Sequence, residues 1–483
     1  MSKAKRLEAE REEHRQTLKK IRRITAIATI SVILVIAVVI TAGLTAYNAR
    51  INNGEYLRGK LAASSRNIDV NGSVMSYFYG DIYHTFTDYY GSYLEYFGLD
   101  TSISLKDQEL SDGESWFEYF MSAAESTVTT VLTLNEAAKD DGVTLTEAEK
   151  AAIKKRADST VASLYGRGVN SDDIYNARLL EALAYKYRII KEADLTPSEA
   201  EITAYFAEDP KQFQTVDYYS FSLYYDTEGT ADDPEGYTEA DIIAIAEELA
   251  ASENEKAFIE AIEALMRSDG SDISEDDMTA KLQSLKTIGA KWSDGSEVSE
   301  WAFSANVGDT LSVHDAENTM YTVYMLTAEP YRSESDTVTV RHILLSDTTY
   351  GSREGASAKA KELLSQIKNE GMDSDDFALL VLEYSEDQGS YYSGGMYKNI
   401  TQGQMVDTFD EWCFDPDRRA GDTDIIETDL GVHVMLFESA GSEEWQADVA
   451  EHIISERFDA YLEAVSMQYT VIFDDTVLDM IPG

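Results

Sequence analysis

The chain has 483 residues, 40 Lys/Arg against 89 Asp/Glu, a net charge of −49 and 43% hydrophobic residues, which is enough for globular folding. That length exceeds one ordinary core and points to roughly two to four domains. The acidity disfavours nucleic acid, whose phosphates would be repelled, and the single cysteine, Cys413, excludes an intrachain disulfide framework or a cysteine-built metal site.

The charge is unevenly placed. Residues 1–23 carry nine Lys/Arg against four Glu, so the acid excess lies wholly beyond them. The run ITAIATISVILVIAVVITAGL (24–44) has no charged residue and is close to the length that spans a hydrocarbon core. Lys19, Lys20, Arg22 and Arg23 flank it on the N-terminal side, which places the N-terminus in the cytoplasm and the bulk outside. The run is longer than a signal-peptide core, and no small-x-small cleavage site or lipid-accepting cysteine follows it. Residues 24–47 are therefore expected to be a single-pass signal-anchor in the cell membrane behind a basic tail (1–23), with a cleaved signal peptide as the alternative.

Residues 60–215 read as mostly helical. In NIDVNGSVMSYFY (67–79), Asn71-Gly72 is expected to make a tight turn from a short strand into a helix loaded with aromatics, among them Tyr77, Phe78, Tyr83, Phe86, Tyr89, Tyr90 and Tyr93. Thr146 with Glu149 opens a later helix, and Thr196, Pro197 and Glu199 are expected to open another.

Residues 216–333 and 336–440 read as an internal repeat. YYSFSLYYD (218–226) takes the place of VTVRHILLSD (338–347), SEWAFSANVGDT (299–310) parallels DEWCFDPDRRAGDT (410–423), and TVYMLTAEP (322–330) parallels GVHVMLFES (431–439). This alignment puts Phe221 where the second copy has His342, and Val323 where it has His433. The first copy also lacks a counterpart of EYSEDQGS (383–390) and carries an acidic break at 269–277. Residues 441–483 read as a helix with Ile454, Phe458, Leu462 and Val465 on one face, then a short strand, YTVIF (469–473).

In the second copy the last strand alternates. Val432, Val434 and Leu436 share one face; His433, Met435 and Phe437 share the other. His433 thus points into a packed interior, where its ring nitrogens need partners, and a histidine on a neighbouring strand can supply one. Ala360, Leu363, Leu364 and Ile367 stripe one intervening helix, and Phe377, Leu380, Val381 and Tyr384 stripe another.

VRHILL (340–345) and GVHVMLF (431–437), with EYSEDQGS (383–390) and GQMVDTF (403–409) between them, resemble the parvulin family of peptidyl-prolyl isomerases. The resemblance implies paired histidines, His342 and His433, that orient the site. It implies a carboxylate, Asp387, near the reacting carbonyl and a proline-ring pocket from Met405 and Phe409. Their i, i+4 spacing would set those two on one helix face. Gln404 is expected to hydrogen-bond, and the third apolar wall falls near Ile400. The glycine-rich turn before the pocket reads GGMYKN (394–399), with Tyr397 in place of a glycine. Leu430 stands where the family has a serine or threonine near the second histidine. Arg353 alone replaces the basic cluster of phosphate-directed parvulins, which argues against a phosphorylated Ser/Thr-Pro substrate.

The helical segment 60–215 and its LTPSEAEITAYFAEDPKQF end (195–213) resemble the chaperone module of SurA- and PrsA-type foldases. The resemblance implies that 441–483 folds back onto that module. The expected architecture is α+β and multidomain: a transmembrane helix, a SurA-like helical chaperone module and two parvulin-like α/β domains, the first degenerate. The expected function is a membrane-anchored extracytoplasmic foldase that isomerises X-Pro bonds and chaperones unfolded or newly exported polypeptides. The alternative is a non-catalytic holdase. No cofactor, metal or nucleic acid is implied, and a homodimer stays open. No Ser-His-Asp arrangement, HExxH helix, P-loop or dinucleotide fingerprint is present to carry another chemistry.

Overall fold

This computed structural model describes residues 54–483 apart from 111–112, 226–236 and 269–272, together with Ile40, Thr41, Thr45, Ala49 and Arg50. The apolar run 24–47 lies almost wholly outside the described residues, and among these no helix is long and apolar enough to cross a membrane. The chain is a mixed α/β multidomain protein with two compact units, one ending at Arg188 and resuming at Tyr461, the other Ile189–Ala460.

In the first unit, β1 (Leu61–Ser64) and β2 (Asp69–Asn71) pair antiparallel, and the strand Ile472–Phe473 joins the free edge of β1. No tight turn separates β2 from helix α1 (Gly72–Tyr90). Asn71 instead caps the helix directly, its Oδ1 accepting from the N–H groups of Ser73 at 2.9 Å and Val74 at 3.0 Å. Helix α2 (Trp116–Asp140) starts at a capping box of Ser115 and Glu118. Phe86 of α1 meets Phe120 of α2 edge-on with ring centroids 5.3 Å apart, and Tyr79, Trp116 and Phe120 are buried. Helix α3 (Glu147–Ser159) opens at the reciprocal Thr146–Glu149 box, and α4 (Ser171–Asp194) follows.

The second unit opens with the helix Glu199–Glu208, capped by Ser198 and Glu201 rather than by Thr196 and Glu199. Both pairs fit the S/T-x-x-E spacing; only the later one forms the reciprocal bonds. Two four-stranded antiparallel sheets follow. The first holds β3 (Thr215–Tyr224), β4 (Lys286–Lys291), β5 (Thr310–Asp315) and β6 (Met320–Tyr331) in the order β4-β3-β6-β5. Helices α5 (Glu239–Ala250) and α6 (Glu255–Ser268) pack on one face through Leu249, Phe258 and Ile262, and α7 (Glu297–Ala302) lies on the other. The second sheet holds β7 (Asp336–Leu345), β8 (Met396–Ile400), β9 (Thr423–Thr428) and β10 (Gly431–Glu443) in the order β8-β7-β10-β9. Helices α8 (Arg353–Glu370) and α9 (Ser374–Tyr384) cover one face of it through Leu363, Ile367, Phe377 and Val381, against Ile343, Val432 and Val434. Helix α10 (Asp407–Cys413) closes the other with Phe409 and Trp412 against Val338, Val340 and Met435.

The two sheets have the same strand order, and their ladders correct the residue equivalence drawn from sequence. Leu326 exchanges backbone bonds with Gly308 and Asp309 as Phe437 does with Gly421 and Asp422. Counting back along β6 and β10 sets Thr322, not Val323, opposite His433. Ser220 pairs with Tyr324 as His342 pairs with Met435, so Ser220, not Phe221, holds the place of His342. Phe221 and Val323 belong to the helix-covered face, with the buried Phe258 and Ile262. A one-residue offset in a strand exchanges its faces, which is why the textual alignment misassigned both positions. The face opposite carries a hydroxyl pair, Ser222 Oγ to Thr322 Oγ1 at 2.9 Å.

Candidate active site

The second sheet brings His342, His433 and Asp387 together. His342 on β7 and His433 on β10 are 4% and 3% exposed, on the face closed by α10. Their Nδ1 atoms lie 3.0 Å apart, with the rings near parallel at 16°. On its other side His342 Nε2 is 2.8 Å from Asp387 Oδ2 and 3.2 Å from Ser390 Oγ. His433 Nε2 is 2.8 Å from Thr428 Oγ1, which also accepts the Leu430 N–H at 3.2 Å. Phe409 stands edge-on to both imidazoles, at 5.7 Å from His342 and 5.8 Å from His433.

Asp387 sits in the loop after α9, pinned from several sides. Ser385 Oγ receives its N–H at 3.3 Å, and the Gly389 and Ser390 N–H groups reach its carboxylate at 3.2 Å each. The hydroxyl of Tyr397 donates to Oδ2 at 3.0 Å, and Ser390 Oγ donates to the same oxygen. Burial works against the charged carboxylate, but hydrogen bonds from His342, Ser390 and Tyr397 outweigh it and hold the group well below the usual range. The pKa of His433 is lowered too, which for a histidine favours the neutral form. Burial, then the His342 ring, pushes its pKa down to about 3, so it is neutral at ordinary pH.

With both imidazoles neutral, one proton arrangement satisfies the whole row. Asp387 only accepts, so His342 presents Nε2–H to it; His433 Nδ1–H then donates to His342 Nδ1, and the Thr428 hydroxyl donates to His433 Nε2. The row runs from a hydroxyl through two imidazoles to a fixed anion. Among the described residues no group of three or more His, Cys, Asp or Glu could hold a metal.

The turn beneath is specified by close approach. Gly395 has φ 78°, its carbonyl accepts the His342 N–H at 2.9 Å, and a Cβ there would stand 2.3 Å from the His342 carbonyl oxygen. Arg341, next to His342 but on the opposite face, donates from Nη1 to the carbonyls of Ser393 and Gly394 at 2.8 Å each.

The expected pocket residues fall differently. Phe409 is buried and Met405 half-buried against the same cluster, but α10 starts at Asp407 with Val406 as its cap, so Met405 precedes the helix. Gln404 is exposed, and its Oε1 accepts the Thr401 N–H at 3.0 Å, stabilising a turn. Ile400 is only 1% exposed and packs inside the cluster with Val338 and Phe409. Tyr397, half-buried with its ring 5.2 Å from His342, flanks the histidine instead. Leu430, read as replacing the family's hydroxyl, is exposed at the β9–β10 turn, and Thr428 supplies a hydroxyl to His433 after all. Arg353 is committed to this turn, donating to the Gly431 carbonyl at 3.0 Å and to Asp347 at 3.0 Å. Ser390, Tyr397 and Thr428 were not selected from the sequence. The one available signal was position, since each stands within a few residues of a chosen group.

Residues 323–438 match the model of the PPIC-type PPIASE domain. The curated relatives include foldase protein PrsA 1 of Listeria innocua, 29% identical over 105 residues, which are 22% of this chain and 31% of the relative. Foldase protein PrsA 3 of Bacillus cereus is 34% identical over 97 residues, 20% of this chain and 29% of the relative. The chain thus matches about a third of the length of these relatives. Among solved structures, PrsA from Bacillus subtilis aligns over 75% of this chain and 90% of its own, at 14% identity and a TM-score of 0.22. One of the SurA-like chaperones of Campylobacter jejuni aligns over 28% and 51%, at 23% identity and 0.19. The domain match runs from Val323 in β6 to Glu438 in β10 and covers the whole histidine row. The second sheet, whose histidine row lies wholly within the match, is similar to a parvulin-type, PPIC-class peptidyl-prolyl isomerase domain.

Proposed function

We propose that the chain is an extracytoplasmic foldase whose second sheet domain isomerises X-Pro bonds in unfolded or newly exported polypeptides. The observation that supports this most is the row Thr428–His433–His342–Asp387 beside Phe409 and Met405. Rotation about an X-Pro bond is opposed by amide resonance, a barrier of about 18–20 kcal/mol, and takes tens to hundreds of seconds unaided. A catalyst need only favour the twisted amide over the planar one. Phe409 and Met405 would hold the proline ring, and the row beneath would present a rigid, fixed-polarity floor to the carbonyl. Arg353 is occupied by Asp347 and the β9–β10 turn, which supports ordinary rather than phosphorylated substrates.

The test is the isomerisation rate of an Xaa-Pro peptide with the full chain and its His342→Gln variant. The expected outcome is a fall in kcat/KM of about tenfold or more, roughly 1.4 kcal/mol at the transition state. Equal rates for the two proteins would remove the catalytic reading. The holdase reading draws on the exposed Tyr89, Tyr93 and Tyr96 (81%, 68% and 86%) near the end of α1. It predicts suppressed aggregation with no change in isomerisation rate.

The apolar run 24–47 supports membrane anchoring with the bulk outside. In cells making the protein, the full-length chain should stay with alkali-washed membranes. A mature N-terminus near residue 50 would replace the anchor by a cleaved signal.

A further inference from the structure

Asp387 is unusually well supplied with donors. Its Oδ2 is approached by His342 Nε2 at 2.8 Å, the Tyr397 hydroxyl at 3.0 Å, the Ser390 N–H at 3.2 Å and the Ser390 hydroxyl, while Oδ1 accepts the Gly389 N–H. All but one of these come from Asp387's own loop or from the histidine it serves. Tyr397 is the exception, reaching in from β8 with its ring against His342 and the apolar cluster of α10. An apolar side chain of similar size would line that cluster equally well, so packing does not account for the hydroxyl. Without it, the side of Asp387 that Tyr397 covers would be open to water or to a substrate N–H. A mobile donor there would let the carboxylate turn, whereas the Tyr397 ring, packed against His342, holds Oδ2 toward His342 Nε2.

We propose that Tyr397 is a positioning residue of the isomerase site, its hydroxyl holding Asp387 as a fixed acceptor for the His342 Nε2–H. The inference rests on the isomerase reading of the domain. Tyr397 closes one end of the hydroxyl-imidazole-imidazole-carboxylate row, and Thr428 closes the other. With Oδ2 held in place, the accept-only carboxylate keeps the proton on His342 Nε2, so the polarity under the substrate amide is set before binding.

Tyr397→Phe keeps the ring and removes the donor. In the full chain it should lower kcat about tenfold while leaving KM unchanged, in keeping with one lost hydrogen bond to a charged group. Selective histidine ¹⁵N labelling of the same protein should show the His342 Nε2 signal moving away from its N–H position toward a mixed tautomer. A role confined to packing would move neither. Wild-type kcat together with an unchanged His342 nitrogen spectrum would overturn the inference. His342→Gln is run in parallel: if it too matches the wild type, the isomerase reading fails; if only Tyr397→Phe does, that reading stands and Tyr397 is a pocket wall alone.

Discussion

Replacing Arg341 by alanine is expected to destabilise the second unit by about 3–5 kcal/mol, the range found when one partner of a buried ion pair is removed. Arg341 is 8% exposed, and its Nε lies 2.5 Å from Glu438 Oε1 and 2.9 Å from Ser374 Oγ. Its Nη1 satisfies the carbonyls of Ser393 and Gly394. Truncation leaves the Glu438 carboxylate with the Ser374 hydroxyl but without its cation, and takes the donor from the Ser393 and Gly394 carbonyls, a cost that exceeds the value of the pair itself. The damage reaches the site by a short path, because Gly395, next in that turn, holds the backbone N–H of His342. Urea unfolding of the full chain should show the midpoint of the second unit falling in Arg341→Ala. Glu438→Gln, which keeps an acceptor, should lose distinctly less. Equal and small losses in both would mean that Arg341 is a surface-like pair of little consequence.

Acidification should weaken the same unit through His433. In the unfolded chain a histidine titrates near 6.5; in the folded site His433 titrates near 3 because of burial and the adjacent His342, against the opposing pull of Asp387 and with a small contribution from Arg353. The folded pKa is the lower one, so between about pH 6.5 and 3 the unfolded state binds a proton that the folded state refuses. Stability therefore falls as pH falls across that window, with a slope approaching about 1.4 kcal/mol per pH unit from this one group. Asp387, whose folded pKa is also depressed, adds a loss of the same sign at the acid end. His433→Gln removes the histidine contribution, so a plot of unfolding free energy against pH should flatten between about pH 6 and 4 relative to the wild type. Parallel plots would show that His433 is protonated in the folded protein and that the neutral row is wrong.

How much of this was legible in the chain follows from periodicity. The alternation of β10 put His433 on the same face as Met435 and Phe437, and the helix stripes ending in Ile367 and Val381 pack as their spacing requires. His342, Asp387 and Phe409 could be chosen because each stands in a local pattern that survives folding. Ile400 and Tyr397 could not be sorted by pattern. Three residues apart on a regular strand they would face opposite sides, but Asn399 has φ 54° and the β7–β8 ladder shifts register there, so both turn to the α10 face. The exchange of Ser220 for Phe221 and Thr322 for Val323 has a similar origin: a strand alignment without its ladder is uncertain by one residue, and one residue is a whole face. Ser390 and Thr428 are turn hydroxyls whose value depends on what the fold brings to them.

The strand Ile472–Phe473 lies on β1, with Ala63 opposite Phe473. The sheet of the first unit therefore closes a loop of about 400 residues, and the closure entropy of so long a segment rises only logarithmically with its length. The order of events is the heavier consequence. A chain made from its N-terminus must hold β1 and the α1–α2 aromatic layer with one sheet edge unpaired until residues 472–473 appear. Both four-stranded sheets are complete in sequence before then. The histidine row can thus assemble while the first unit is still an open template, and a stretch of chain made after both larger sheets is the one that seals it.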